Sequence, residues 1–139
     1  MRFVFEKWYA GYVQVQNAKI FYQTQGQDYP VLAVHGGPGL DQTYLQPQLF
    51  ELADKHQLIF YDQRASGKSL QSVEHYNNIN INQFVSDLED VQAKLGLKKF
   101  ILMGHSWGGL LRMHYAIKHP EHLSGLKDGI IKEDQRQHV

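Results

Sequence analysis

Residues 100 to 109 read Phe100-Ile101-Leu102-Met103-Gly104-His105-Ser106-Trp107-Gly108-Gly109. The opening four form a short apolar run, and Leu110 to Lys118 beyond the glycines has helical character. A G-x-S-x-G sequence thus sits between a buried strand and a helix, the setting of a nucleophile elbow, in which a sharp turn lifts one side chain clear of the sheet. Ser106 is that side chain. Gly104 and Gly108 leave room for the tight backbone around it, and Gly109 lets the following helix pack closely. A phosphate-binding turn would instead require Gly-x-Gly-x-x-Gly, a spacing that is absent here.

Upstream, the wholly apolar run Val31-Leu32-Ala33-Val34 reads as a strand covered on both faces, and it leads into His35-Gly36-Gly37-Pro38-Gly39. Acyl transfer develops negative charge on a carbonyl oxygen, and a loop with paired glycines can turn a backbone N–H toward that oxygen. The matching donor is the N–H of Trp107, directly after the serine. His35 precedes the serine in the chain and reads as a loop-fixing side chain rather than a general base.

A third apolar run, Leu58-Ile59-Phe60-Tyr61, ends in Asp62-Gln63-Arg64-Ala65-Ser66-Gly67-Lys68-Ser69. Gly67-Lys68-Ser69 copies the end of a phosphate-binding P-loop, but the first glycine of that motif is replaced by Asp62, which repels phosphate, and Glu74 to Asn80 reads as loop where a helix should begin. The segment is read as a structural loop in which Asp62 and Arg64 make local ion pairs and hydrogen bonds.

Around these loops, Tyr12 to Val15 and Ala18 to Tyr22 form a hairpin across Gln16-Asn17, and Gly26 to Pro30 breaks the chain. Tyr44 to Lys55 is expected to be one helix through Leu45, Leu49 and Leu52. From Asn82 to Leu95 the residues Phe84, Leu88, Val91 and Leu95 share a helical stripe, closed by Gly96 at a C-terminal cap. Strand and helix alternate after the hairpin, which calls for a mostly parallel sheet with right-handed crossovers, an α/β fold.

The 139 residues fit one domain, and 14 basic side chains balance 14 acidic ones, so no net field draws in nucleic acid or an anionic membrane. No cysteine is present, which excludes disulfides and thiolate metal sites. No cofactor and no metal site are read from the sequence. Neither a signal-peptide-like apolar stretch nor a membrane-spanning run is found, and the chain is expected to be cytoplasmic.

The three loop motifs, His-Gly-Gly-Pro-Gly at 35 to 39, Asp-Gln-Arg-Ala-Ser-Gly-Lys-Ser at 62 to 69 and Gly-His-Ser-Trp-Gly-Gly at 104 to 109, resemble in order and spacing the proline iminopeptidase family of α/β-hydrolases. The resemblance covers about residues 10 to 126. It implies Ser106 as nucleophile and the N–H groups of Gly37 and Trp107 as the oxyanion hole, with His35, Gly36, Pro38, Gly39, Gly104, His105, Gly108 and Gly109 supporting the two motifs. It also implies glycine where this chain has Ala65, so a position needing positive φ would be strained by the methyl group.

Residues 1 to 126 therefore read as the N-terminal part of an incomplete α/β-hydrolase core, and 127 to 139 as a polar, disordered tail unlike the family. The resemblance implies a further strand, a cap domain and then the catalytic Asp and His. Asp128, Asp134 and His138 occur in the right order, but no strand is expected to aim them at Ser106. The strand ending at Met103 is expected to lack a partner on its far side, leaving an exposed edge that favours association. Three functions compete: a serine hydrolase releasing N-terminal proline or a similar residue from peptides, an ester hydrolase of the same fold, and a non-catalytic remnant or half of a split enzyme. Expected partners are a peptide or other small acyl substrate and a complementary C-terminal half.

Overall fold

Alternation along each strand divides its side chains between the two faces of the sheet. In β3 (Tyr29–Val34) Leu32 and Val34 join Ile20, Ile59, Leu88, Val91, Leu111 and Tyr115 in one apolar cluster, whereas Val31 and Ala33 join Leu45, Leu49, Leu58, Phe60 and Met103 in another. The sheet is thus buried from both sides, as a run without polar interruptions demands. The computed structural model describes residues 8–37, 40–69 and 80–128.

Among the described residues six strands, β1 (Trp8–Val15), β2 (Ala18–Gln25), β3, β4 (His56–Tyr61), β5 (Phe100–Gly104) and β6 (Leu123–Asp128), stand in the order β1-β2-β4-β3-β5-β6. β1 and β2 form an antiparallel hairpin whose turn holds Asn17 at φ 63°, and β2 pairs antiparallel with β4. β3, β4, β5 and β6 are mutually parallel where they pair. α2 (Ile81–Lys94), capped by the Asn80 side chain on the Gln83 N–H, and α3 (Trp107–Lys118) cover the larger cluster, and the short α1 (Gln46–Leu49) covers the other. Among the described residues no helix is long and apolar enough to cross a membrane.

Tyr44 to Lys55 is not one helix: Gln42–Tyr44 and Phe50–Asp54 are 3-10 turns flanking the four-residue α1, which starts with Pro47 at its N-terminus. Proline is accommodated there because the first helical N–H groups have no intrahelical partner. Nor does β5 end the sheet. β6 pairs with it from Phe100↔Leu123 to Gly104↔Asp128, so Lys127 and Asp128, expected to begin the tail, continue a strand. Residues 129–139, with Asp134 and His138, lie outside the described residues, as do Pro38, Gly39 and the segment 70–79.

Ala65 occupies the third place of a turn closed by the Ser66 N–H on the Gln63 carbonyl, at φ 64° and exposed. Positive φ at that place favours glycine. Relieving a left-handed alanine is worth about 1–2 kcal/mol, and the extra freedom of glycine in the unfolded chain takes back about 0.4–1 kcal/mol. Ala65→Gly is therefore expected to stabilise the chain slightly, raising the urea midpoint. A lowered midpoint would contradict the strain.

Candidate active site

The parallel strands β3, β4 and β5 all end at the same edge of the sheet, so the loops after Val34, Tyr61 and Gly104 converge there. In an open α/β sheet this edge is where ligands bind. The pairing of β3 with β5 runs one residue past the strands, through the His105 N–H on the Val34 carbonyl at 3.1 Å.

Ser106 comes next and reverses the chain. It adopts φ 58° and ψ −118°, a region that L-residues rarely populate, and its side chain is exposed. The helix starts immediately: the Gly109 and Leu110 N–H groups donate to the Ser106 carbonyl at 2.8 and 3.3 Å. Room for the turn is made by the glycines. A Cβ on Gly104 would lie 2.3 Å from the Gly108 oxygen, and one on Gly108 would lie 2.2 Å from the Val34 oxygen. Close approach of helix to strand is thus made at Gly108, while Gly109 is buried in the first turn of α3.

The loop after β3 lies against this turn. A Cβ on Gly36 would sit 3.3 Å from the Ser106 Cβ, which places the Gly36 backbone beside the serine. Gly37 follows at φ 42°. The Gly36 N–H donates to the Tyr44 hydroxyl at 2.7 Å, and the same hydroxyl meets His105 Nδ1 at 2.7 Å. Among the described residues neither the Gly37 nor the Trp107 N–H finds a hydrogen-bond acceptor, and Ser106 Oγ makes no hydrogen bond.

One buried glutamine ties the three loops together. Gln63, at the end of β4, donates its side-chain amide to the His35 carbonyl at 2.6 Å and accepts from the Trp107 indole N–H at 2.8 Å. Its own backbone N–H donates to His35 Nε2 at 3.0 Å. Because Nε2 accepts, the proton of neutral His35 is on Nδ1, which donates to the Gly36 carbonyl at 2.7 Å. Both ring nitrogens are therefore engaged and His35 is fully buried. It holds the loop and is not aimed at Ser106.

Asp62 fixes the neighbouring loop by accepting the N–H groups of Gln42 at 3.0 Å and Lys68 at 2.9 Å. Arg64 also reaches far along the chain: it grips Asp87 of α2 through Nε and Nη2 at 2.9 and 2.8 Å, and donates to the Gln16 carbonyl in the hairpin turn. Sequence reasoning missed Gln63, Tyr44 and Asp87, since each acts by meeting partners distant in the chain. The only signal for Gln63 and Arg64 was their place directly after a buried strand.

Burial pushes the His35 imidazole below its ordinary value of 6.5, against smaller opposing effects of the Gly36 carbonyl, Asp62 and Asp41. The unfolded chain thus takes up a proton near pH 6.5 that the folded chain refuses. Stability from this residue is complete above pH 6.5 and is lost as pH falls toward the lowered folded value, by up to about 1.4 kcal/mol per pH unit. Urea unfolding of wild type and His35→Asn between pH 7.5 and 5 would show a gap that narrows with acid; a gap independent of pH would contradict the neutral, doubly bonded imidazole.

Residues 29–126 match the family model of the alpha/beta hydrolase fold. A Mycoplasma genitalium protein provisionally named a proline iminopeptidase is 41% identical over 114 residues, covering 80% of this chain and 36% of the relative. Epoxide hydrolase 1 of Caenorhabditis elegans is 34% identical over 120 residues, covering 85% of this chain and 29% of that protein. Among solved structures, a proline iminopeptidase-related protein of Thermus thermophilus superimposes with a TM-score of 0.81 at 24% identity, over 88% of this chain and 44% of the other, a likeness of fold alone. The chain spans about a third of the length of the two sequence relatives.

Proposed function

The chain belongs to the α/β-hydrolase fold family, matching the N-terminal part of proline iminopeptidases within it, and from that premise we propose that it contributes the nucleophile and oxyanion hole of a serine hydrolase. The observation that carries this reading is Ser106, exposed at a strained φ of 58° on the strand-to-helix turn, with the Gly37 N–H in the loop after β3 and the Trp107 N–H at the start of α3 finding no acceptor among the described residues. In the proposed reaction Ser106 Oγ gives its proton to a base and attacks a substrate carbonyl, the resulting oxyanion is held by the N–H groups of Gly37 and Trp107, its collapse breaks the bond to the leaving amine or alcohol, which takes up that proton, and water then hydrolyses the acyl-enzyme. Gln63, His35 and Tyr44 keep those loops in register, so the donors cost little reorganisation when charge develops.

Resemblance to epoxide hydrolases raises a second chemistry, and the serine argues against it. Covalent attack by an alkoxide on an epoxide ends in an ether that water does not cleave, whereas attack on an amide or ester ends in an ester that it does. Acyl transfer is the reaction that Ser106 can turn over. Removal of an N-terminal proline from peptides is the proposed substrate class, and small esters are the alternative, because none of the loops described selects between them.

Activation of Ser106 needs a base. Among the described residues no imidazole is hydrogen-bonded to it: His35 is committed to Gln63 and Gly36, and His105 Nδ1 to Tyr44. An unactivated hydroxyl is a poor nucleophile, and loss of the triad histidine costs about 10⁶ in turnover in subtilisin. We therefore expect the 139-residue chain by itself to show no prolyl-naphthylamide hydrolysis that depends on Ser106. Turnover by the pure chain that disappears in Ser106→Ala would overturn this and identify a base within it.

A further inference from the structure

At the opposite end of α3 from Ser106, three elements bring together a set of side chains that the hydrolase reading does not use. Glu89 projects from α2, His119 caps the C-terminus of α3, and His122 lies in the 3-10 turn before β6. Their nearest donor atoms all fall within 4.8 Å of one another. His119 Nδ1 is 3.8 Å from Glu89 Oε1 and His122 Nε2 is 3.4 Å from Glu89 Oε2. A fourth oxygen, Oε2 of Glu121, stands 3.7 Å from His119 Nδ1 and 3.5 Å from His122 Nε2.

We infer that Glu89, His119 and His122 bind a first-row divalent transition cation of the Zn²⁺ class, with Glu121 or water in the remaining position. Imidazole and carboxylate are the donors this class takes, and tetrahedral bonds of about 2.0–2.1 Å put neighbouring donors about 3.3 Å apart. The observed separations close to that value with small side-chain rotations. Two carboxylates and two neutral imidazoles carry a charge of −2, which one such cation balances. No lysine or arginine bridges Glu89 among the described residues.

Outer contacts hold the donors in place. The buried Tyr115 hydroxyl donates to Glu89 Oε1 at 2.7 Å, and His122 Nδ1 faces the Lys98 carbonyl at 3.4 Å, which turns Nε2 inward. Such carbonyl-backed histidine and oriented carboxylate are what a metal centre requires of its surroundings. The side chains of His119, His122 and Glu89 are 20%, 21% and 30% exposed, open enough for an ion to enter. α3 is 12 residues long, about 18 Å, so an ion here is too remote to touch chemistry at Ser106. Its effect is structural: it fastens α2, the end of α3 and the entry to β6.

The competing occupant is a proton, shared between imidazolium and carboxylate without metal. Calorimetric titration of the full chain with Zn²⁺ at pH 7.5, and with Co²⁺ followed by visible absorption, separates the two. Expected are one equivalent bound, a melting temperature raised by several degrees, and Co²⁺ ligand-field bands. His122→Gln and Glu89→Gln should each weaken binding at least tenfold and abolish the thermal shift, while His114→Ala, on the exposed side of α3, should leave both unchanged. Absence of binding, or binding that survives both ligand variants, would overturn the inference. Should Glu89→Gln fail to fold, His122→Gln, in the turn outside the helices, decides alone.

Discussion

Gly108→Ala is expected to destabilise the chain by about 3 kcal/mol or more, beyond the usual 1–3 kcal/mol of an overpacked core. Its Cβ would lie 2.2 Å from the Val34 oxygen and 2.6 Å from the His35 oxygen. Both are backbone atoms, so no side-chain rotation relieves the overlap. Displacing them also disturbs the His105 N–H bond to Val34 and the Gln63 amide bond to His35, which join the elbow to its neighbours. Gly96→Ala is the control. Gly96 has φ 69° with nothing within 4 Å of a built Cβ, so only the backbone preference is lost, about 1–2 kcal/mol. Urea midpoints for the two variants separate sterics from strain, and equal losses would contradict the packing of α3 on β3.

Asp87→Ala is expected to cost about 3–5 kcal/mol, because it leaves a buried guanidinium without its carboxylate. Arg64 and Asp87 side chains are 3% and 2% exposed, and the guanidinium grips both carboxylate oxygens. Burial pushes the Asp87 carboxyl up, Arg64 opposes it, and the Gln83 amide adds a bond at 3.0 Å. The pair links the loop after β4, helix α2 and, through the Gln16 carbonyl, the hairpin turn. Replacing both partners, Arg64→Met with Asp87→Leu, removes the stranded charge and should recover most of the loss. A double variant as unstable as Asp87→Ala would place the energy in other contacts of Arg64, such as that to the Gln16 carbonyl, instead.

Legibility followed from how local each signal was. The elbow could be read because its requirement is local: glycines at fixed steps around one serine, after an apolar strand. β3, β4 and β5 were visible as unbroken apolar runs, since burial on both faces removes polar residues from them. β6 was not, because Leu123-Ser124-Gly125-Leu126-Lys127-Asp128 mixes glycine and charge and takes strand form by pairing with β5. The stretch from Tyr44 to Lys55 kept its inward Leu45 and Leu49 without keeping a continuous helix. In the site, Ser106 and the glycine loop were legible, while Gln63 was not: a single amide gains its meaning from His35 and Trp107, which are 28 and 44 residues away. His119 and His122 carry no local signal for the same reason, as Glu89 joins them only in three dimensions.

Ser106 as the acyl-accepting nucleophile is tested most directly by supplying a base, since none is hydrogen-bonded to it among the described residues. The chain would be co-expressed with the C-terminal part of a proline iminopeptidase relative, such as that of Mycoplasma genitalium, and the isolated complex assayed with prolyl-naphthylamide. Turnover by the wild-type complex that vanishes in the Ser106→Ala complex is the predicted result. A stable complex without turnover, or turnover that survives Ser106→Ala, would contradict it.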